Sequence, residues 1–158
     1  MAPICGVGSR WGMHSDPDLS VRLRHILEAL PLRPGLRVLE IGGAPGPLAR
    51  AIAARVAPDG FVLVVDRSET GTSHTAQACH REMAAGLLGV RCSSIESFTL
   101  DEGEARFDLA LANRVGAFDG RHPDLLSDAL RALEAATVEG SQFFVDGVPW
   151  SHSGVEPI

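Results

Sequence analysis

The chain has 158 residues with 45 % apolar and 22 % charged side chains, which sets one globular domain as the expectation and excludes a disordered tail. Its longest uncharged apolar run falls far short of the roughly 20 residues a membrane helix needs, and its N-terminus lacks the basic-then-apolar pattern of a secretory signal. A net charge of −6 disfavours general binding to nucleic-acid backbones, and the three cysteines, Cys5, Cys79 and Cys92, are odd in number and unclustered, as expected of reduced thiols in a cytoplasmic protein without a metal site.

Residues 1–14, with Gly6, Gly8, Trp11, Gly12 and His14, have no period and read as a flexible lead-in to a single domain over 15–158. Asp16-Pro17-Asp18 supplies a helix start, and Leu19, Leu23, Ile26, Leu27 and Leu30 follow at helical spacing until Pro31. Leu36 to Ile41 reads as a buried strand, followed by the turn Gly42-Gly43-Ala44-Pro45-Gly46 and an alanine-rich helix from Pro47 to Ala57. Phe61 to Val65 is a second strand ending at Asp66. A helix is expected from about Thr70 to Leu88, with Ala76, Cys79, Met83 and Leu87 on one face, then a short strand from Val90 to Cys92. Glu96 to Arg106 is a polar connection and Phe107 to Ala112 a fourth strand. Pro123 opens a third crossover helix with Leu126, Ala129, Leu130 and Leu133 inward. Glu139-Gly140 reads as a turn before a fifth strand from Gln142 to Val145.

Strands alternating with helices mean parallel strands joined by right-handed crossovers, an α/β Rossmann-like doubly wound sheet with helices on both faces. Such sheets bind ligands beyond the carboxyl ends of their strands. Here the first strand ends in a glycine turn, and Asp66 ends the second strand twenty residues past Gly46. Glycines allow a close backbone approach, and a strand-end carboxylate can accept both hydroxyls of a ribose. Together they point to a nucleoside-containing ligand. A dinucleotide would require Gly-x-Gly-x-x-Gly, but Ala44 and Pro47 stand in the later glycine positions counted from Gly42. Glu40 would repel a pyrophosphate and suits a ligand carrying an ammonium group.

The stretch VLEIGGAPG, from Val38 to Gly46, resembles the first motif of class I S-adenosylmethionine-dependent methyltransferases. The resemblance runs from about Asp16 to Gly147 and takes in Asp66, SSIESF, FDLALANRV and GSQFFVDG. It implies about five strands in the order 3-2-1-4-5. It implies S-adenosylmethionine as cofactor, with S-adenosylhomocysteine as product. Gly42, Gly43, Ala44 and Gly46 would pass under the methionine portion, with Glu40 supporting the turn and the amino-acid end. Asp66 would hold the ribose and Arg67 flank the adenine. Ser94, Ile95 and Glu96 would line the adenine edge, and Asn113 with Arg114 would sit beside the methyl group.

Three departures stand out: Ala44 replaces a glycine, Ser94 replaces a frequent aspartate, and only twelve residues follow Asp146, so the family's last two strands are expected to be lacking. Ala44 and the short end also leave open a non-catalytic domain that binds the cofactor or a protein partner. Methyl transfer to a small-molecule acceptor is the main expectation, with no nucleic acid or membrane partner. Histidine suits a catalytic base, and His14 and His122 are the candidates, though His122 precedes Pro123 and also fits a helix start. Trp11 could serve as a lid or pack on the first helix. The fifth strand should need cover, because Phe143 and Phe144 point to opposite faces and a bare edge invites association. Either Trp150 folds back, with Pro149 blocking a regular strand, or two copies pair; a homodimer through this edge is the favoured expectation.

Overall fold

Five parallel strands and one short antiparallel strand form a single sheet in the computed structural model, which describes residues 19–151. The expected start at Asp16-Pro17-Asp18, the lead-in with Trp11 and His14, and Cys5 lie outside the described residues. The strands are β1 (Arg37–Ile41), β2 (Phe61–Asp66), β3 (Leu88–Cys92), β4 (Phe107–Ala112), β5 (Thr137–Val145) and β6 (Val148–Pro149). Their order is β3-β2-β1-β4-β5-β6. The first five follow the expected order, and the reversal of winding between β1 and β4 marks the switch point at which such sheets bind ligands.

The central strands β1, β2 and β4 are buried on both faces. In β1, β2 and β4 alternate residues enter two separate cores. Val38, Val62, Val64, Leu109 and Leu111 pack with Ile26, Leu48 and Ile52 on one side. Leu39, Leu63, Val65, Ala110 and Ala112 pack with Ile95, Phe118 and Leu133 on the other. The period-2 pleat produces this split. The first core is roofed by α1 (Val21–Ala29) and α2 (Pro47–Val56), and the second by α5 (Leu126–Ala136).

Several expected boundaries shift for identifiable reasons. The first helix starts at Val21, where the Ser20 hydroxyl accepts the Leu23 N–H at 3.3 Å; Leu19 and Leu30 are buried but flank the helix. The expected helix over 70–88 is two helices, α3 (Glu69–Ala78) and α4 (His80–Ala84), broken at Cys79, whose ψ of 18° leaves helical geometry. Gly86, at φ +75°, ends the second, and Leu88 belongs to β3. The inward face is Thr72, Thr75 and Cys79, while Met83 is exposed. A 3₁₀ turn at Pro123–Leu125 precedes α5. Glu139-Gly140 lies inside β5, where the register with β4 jumps from Phe107↔Thr137 to Leu109↔Gln142 and Gly140 takes up the irregularity at φ +76°.

The edge of β5 is covered by the chain itself. Asp146 and Gly147, at φ 49° and 84°, form a two-residue turn that brings Val148–Pro149 back antiparallel to Phe144 and Val145. The Trp150 N–H donates to the Phe143 carbonyl at 2.8 Å, and the two rings lie 5.9 Å apart. Phe144 is buried in the first core and Phe143 packs against the second. Pro149 does not block this strand, because an outer strand tolerates a residue without an N–H. The bare edge on which the expected homodimer rested is thus already paired. Among the described residues no helix is long and apolar enough to cross a membrane, and no cluster could hold a metal ion.

Candidate functional site

An open cleft of about 320 Å³ lies beyond the carboxyl ends of β1, β2, β3 and β4. Its floor is the turn after β1. The Gly42 N–H donates to the Val65 carbonyl at 2.8 Å, tying the turn to β2. Gly42 sits at φ +75°, and a Cβ there would lie 2.6 Å from the Asn113 carbonyl oxygen, so only glycine lets the ends of β1 and β4 approach this closely. Ala44 is not among the positive-φ residues, so its Cβ is carried without backbone strain.

The turn residues divide between two environments. Gly42 and Ala44 line the cleft. Gly43 faces inward, where a Cβ would lie 2.6 Å from the Glu40 side chain. Gly46 also faces inward, at the start of α2, where a Cβ would lie 2.9 Å from the Cys79 sulfur. These two glycines serve packing under the turn and do not line the cleft.

Asp66, at the end of β2, lines the cleft and straps its wall together. One carboxylate oxygen accepts the Ala44 N–H at 3.2 Å and the other accepts the Ser68 N–H at 2.9 Å. Each oxygen keeps a further lone pair for a ligand hydroxyl. Arg67 lines the same end. Ser94, Ile95 and Glu96 line the cleft from the segment after β3, with Ile95 buried and leading a 3₁₀ turn.

Glu40 and Asn113 meet at the carboxyl ends of β1 and β4, where Asn113 lines the cleft and Glu40 is buried behind it without lining it. The Asn113 side-chain N–H donates to Glu40 Oε1 at 3.1 Å. Glu40 is fully buried, and its Oε2 and the Asn113 Oδ1 have no hydrogen-bond partner among the described residues. Burial pushes the Glu40 carboxyl up to about 8, against the lowering effect of the Asn113 hydrogen bond and with a smaller raising effect from Asp66. Each of these two oxygens has the capacity to accept a hydrogen bond or to lie against a cation.

Of the histidines considered as a base, His122 lines the cleft with its ring along Gly116, and His14 lies outside the described residues. His25, His74 and His80 are exposed elsewhere. The sequence reading did not single out Arg22, Val115, Ala117, Arg121 and Leu125 as site residues, yet they also line the cleft. Arg121 directly precedes His122, which the sequence marks as a candidate base, whereas nothing in the local pattern of α1 marks Arg22.

Solved structures share this architecture. A methyltransferase dependent on S-adenosylmethionine from Aquifex aeolicus superposes with a TM-score of 0.63 at 15 % identity, over 78 % of this chain and 62 % of that one. Another from Thiobacillus denitrificans, in complex with S-adenosylhomocysteine, superposes with a TM-score of 0.59 at 18 % identity, over 78 % of this chain and 46 % of the other. The chain has the class I methyltransferase fold.

In that fold the cleft lies beyond the carboxyl ends of the strands, where open α/β sheets bind their ligands. In sequence, the chain is 38 % identical over 69 residues to the ubiquinone/menaquinone biosynthesis C-methyltransferase UbiE of Bordetella parapertussis. The match covers 40 % of this chain and 26 % of that protein, so it spans about a quarter of the relative's length. No protein-family model matches the chain.

Proposed function

We propose that the chain binds S-adenosylmethionine in this cleft and directs its methyl group to a small-molecule acceptor. The observation that carries the reading is the Asp66 carboxylate reaching across to the Ala44 N–H, which puts the ribose-type acid and the glycine turn on one wall. The residues present fit the group. The vacant oxygens of Glu40 and Asn113 suit the ammonium of the amino-acid end. Asp66 suits the ribose diol, and Ile95, flanked by Ser94, Glu96 and Arg67, suits the adenine. A guanidinium can lie against an aromatic face in that position.

When bound, the cofactor supplies a methyl group already activated by its sulfonium. The protein's own work is to bind, orient and exclude water. Glu40 and Asn113 anchor one end, Asp66 fixes the middle, and the wall from Ser94 to Glu96 sets the depth. In this reading His122, which lines the cleft, would take a proton from an acceptor. Ala44 does not weaken this reading, because its backbone is not in the left-handed region where a Cβ would strain it. A cytoplasmic location belongs to the same reading, in keeping with the free thiols Cys79 and Cys92.

Calorimetry with S-adenosylmethionine, S-adenosylhomocysteine and NAD tests it. The first two should bind and NAD should not. Absence of heat with both S-adenosyl compounds, or equal binding of NAD, would overturn the proposal.

A further inference from the structure

Four arginines line the cleft, Arg22, Arg67, Arg114 and Arg121, in a chain whose net charge is −6. Arg67 stands at the Asp66 end. The other three are linked at the end of β4, next to Asn113. The Arg121 guanidinium is already held, by Asp119 at 2.8 Å and by the Arg114 carbonyl at 2.6 Å. Arg22 reaches the Asp146 carboxylate only at 3.8 Å and is 39 % exposed. The Arg114 guanidinium has no hydrogen-bond or ion-pair partner among the described residues.

The Arg114 backbone is the unusual part. Its φ of 51° is in the left-handed region, which residues with a Cβ seldom occupy. It is clamped there from both sides. The Asp146 carboxylate accepts its N–H at 2.8 Å, and Arg121 donates to its carbonyl. A residue held in a costly conformation by two partners, with its own charged head left unpaired in a ligand cleft, marks a functional position. The clamp fixes the direction in which the side chain leaves the end of β4.

We infer that the ligand sharing this cleft with the cofactor is a small anion, a carboxylate- or phosphate-bearing acceptor gripped by Arg114 with Arg22 beside it. A guanidinium fork pairs with either group in a bidentate manner. A nucleic acid would need a basic surface continuing beyond the cleft, which an acidic chain disfavours. Asp146 is a positioning residue, acting through the Arg114 N–H. The word acceptor rests on the methyl-transfer reading, whereas the anion site does not.

The test is calorimetry on the full chain, with and without saturating S-adenosylhomocysteine, using phenyl phosphate, benzoate and the neutral benzamide as probes. One or both anions should bind and benzamide should not, and the tighter anion identifies the group. Arg114→Gly suits a left-handed φ and so keeps the fold while removing the guanidinium. In it, anion affinity should fall at least about tenfold further than S-adenosylhomocysteine affinity does. Asp146→Asn keeps an oxygen for the Arg114 N–H and should retain the anion affinity that Asp146→Ala loses. Equal binding of benzamide, or unchanged anion binding in Arg114→Gly, would overturn the inference. So would a short oligouridylate that binds more tightly than phenyl phosphate and depends on Arg114, since that assigns the cleft to RNA. Anion binding without S-adenosylhomocysteine binding would remove the cofactor reading and leave the anion site standing.

Discussion

Asn113 donates its side-chain amide to Glu40 across 73 residues of sequence, joining the ends of β4 and β1 at the switch point of the sheet. The pair leaves one oxygen on each side chain without a partner among the described residues, both buried. An acid in that setting is neutral at pH 7, because its burial holds the proton up to about pH 8.

Glu40 therefore couples ligand binding and stability to pH. A ligand with an ammonium group favours the ionised acid, so S-adenosylhomocysteine should bind with release of a proton and bind more tightly as pH rises toward 8. Heats measured in two buffers of different ionisation enthalpy would count that proton, and identical heats would contradict it. For stability the sign is the reverse. The folded acid titrates above its ordinary value of 4.5, so its contribution is complete below that pH and is lost as pH rises through about 8. At pH 7 the loss amounts to about 3 kcal/mol, from 1.36 kcal/mol per pH unit. Glu40→Gln should be more stable than the parent at pH 7 to 8 and should flatten the pH dependence of Tm, while weakening S-adenosylhomocysteine binding.

Asp66 has two roles, and two substitutions separate them. Asp66→Asn keeps an acceptor oxygen but loses the charge. Charge-assisted bonds to the ribose are worth about 1.5–3 kcal/mol each, so cofactor affinity should drop at least about tenfold, with a smaller fall in Tm than in Asp66→Ala because one of the two N–H groups keeps its acceptor. Asp66→Ala also strips the Ala44 and Ser68 N–H groups of their acceptor. That should cost a further 1–2 kcal/mol or so of stability. Asp66 is not a free strand end, so Asp66→Ala disturbs the fold as well as the ligand contact. Unchanged affinity in Asp66→Asn would place the ribose elsewhere.

Gly42 and Ala44, the two turn residues that line the cleft, should respond oppositely to exchange. Gly42→Ala puts a Cβ at φ +75° and 2.6 Å from the Asn113 oxygen. The backbone strain alone is about 1–2 kcal/mol, and relieving the overlap would displace the end of β4 and abolish S-adenosylhomocysteine binding. Ala44→Gly relieves nothing. It should leave binding unchanged and lower stability by roughly 0.5–1 kcal/mol through added freedom of the unfolded chain. A gain in affinity from Ala44→Gly would show that the alanine does hinder the ligand.

The hairpin at Asp146-Gly147 covers the β5 edge, so the full chain should be monomeric in light scattering across a concentration series. A chain ending at Asp146 exposes the edge of Phe143–Val145 and should associate. Phe144→Ala, at a fully packed position of the first core, should cost about 3–5 kcal/mol. A full-length dimer that persists after Phe143→Ser would place any self-contact away from this edge.

The order of elements, the parallel sheet and the glycine turn followed by Asp66 are legible along the chain, because they arise from local periodicity and from spacing within one strand–helix–strand unit. Alternation in β1, β2 and β4 already assigns neighbouring residues to opposite faces, and Phe143 and Phe144 separate as that rule requires. What each turn residue faces is different. Gly43 and Gly46 look identical to Gly42 in sequence, yet Glu40 and Cys79 lie against them, and those contacts exist only after strands and helices pack. The break at Cys79 has the same origin, since its thiol points at the Gly46 carbonyl. Arg22 and Arg114 stand 92 residues apart and share Asp146. No local signal links them, because the attraction that gathers them acts through space between groups whose distance is set by the whole sheet. The chemistry of the β1 turn and of Asp66 is thus written in the sequence, while the cationic end of the cleft is a product of tertiary structure.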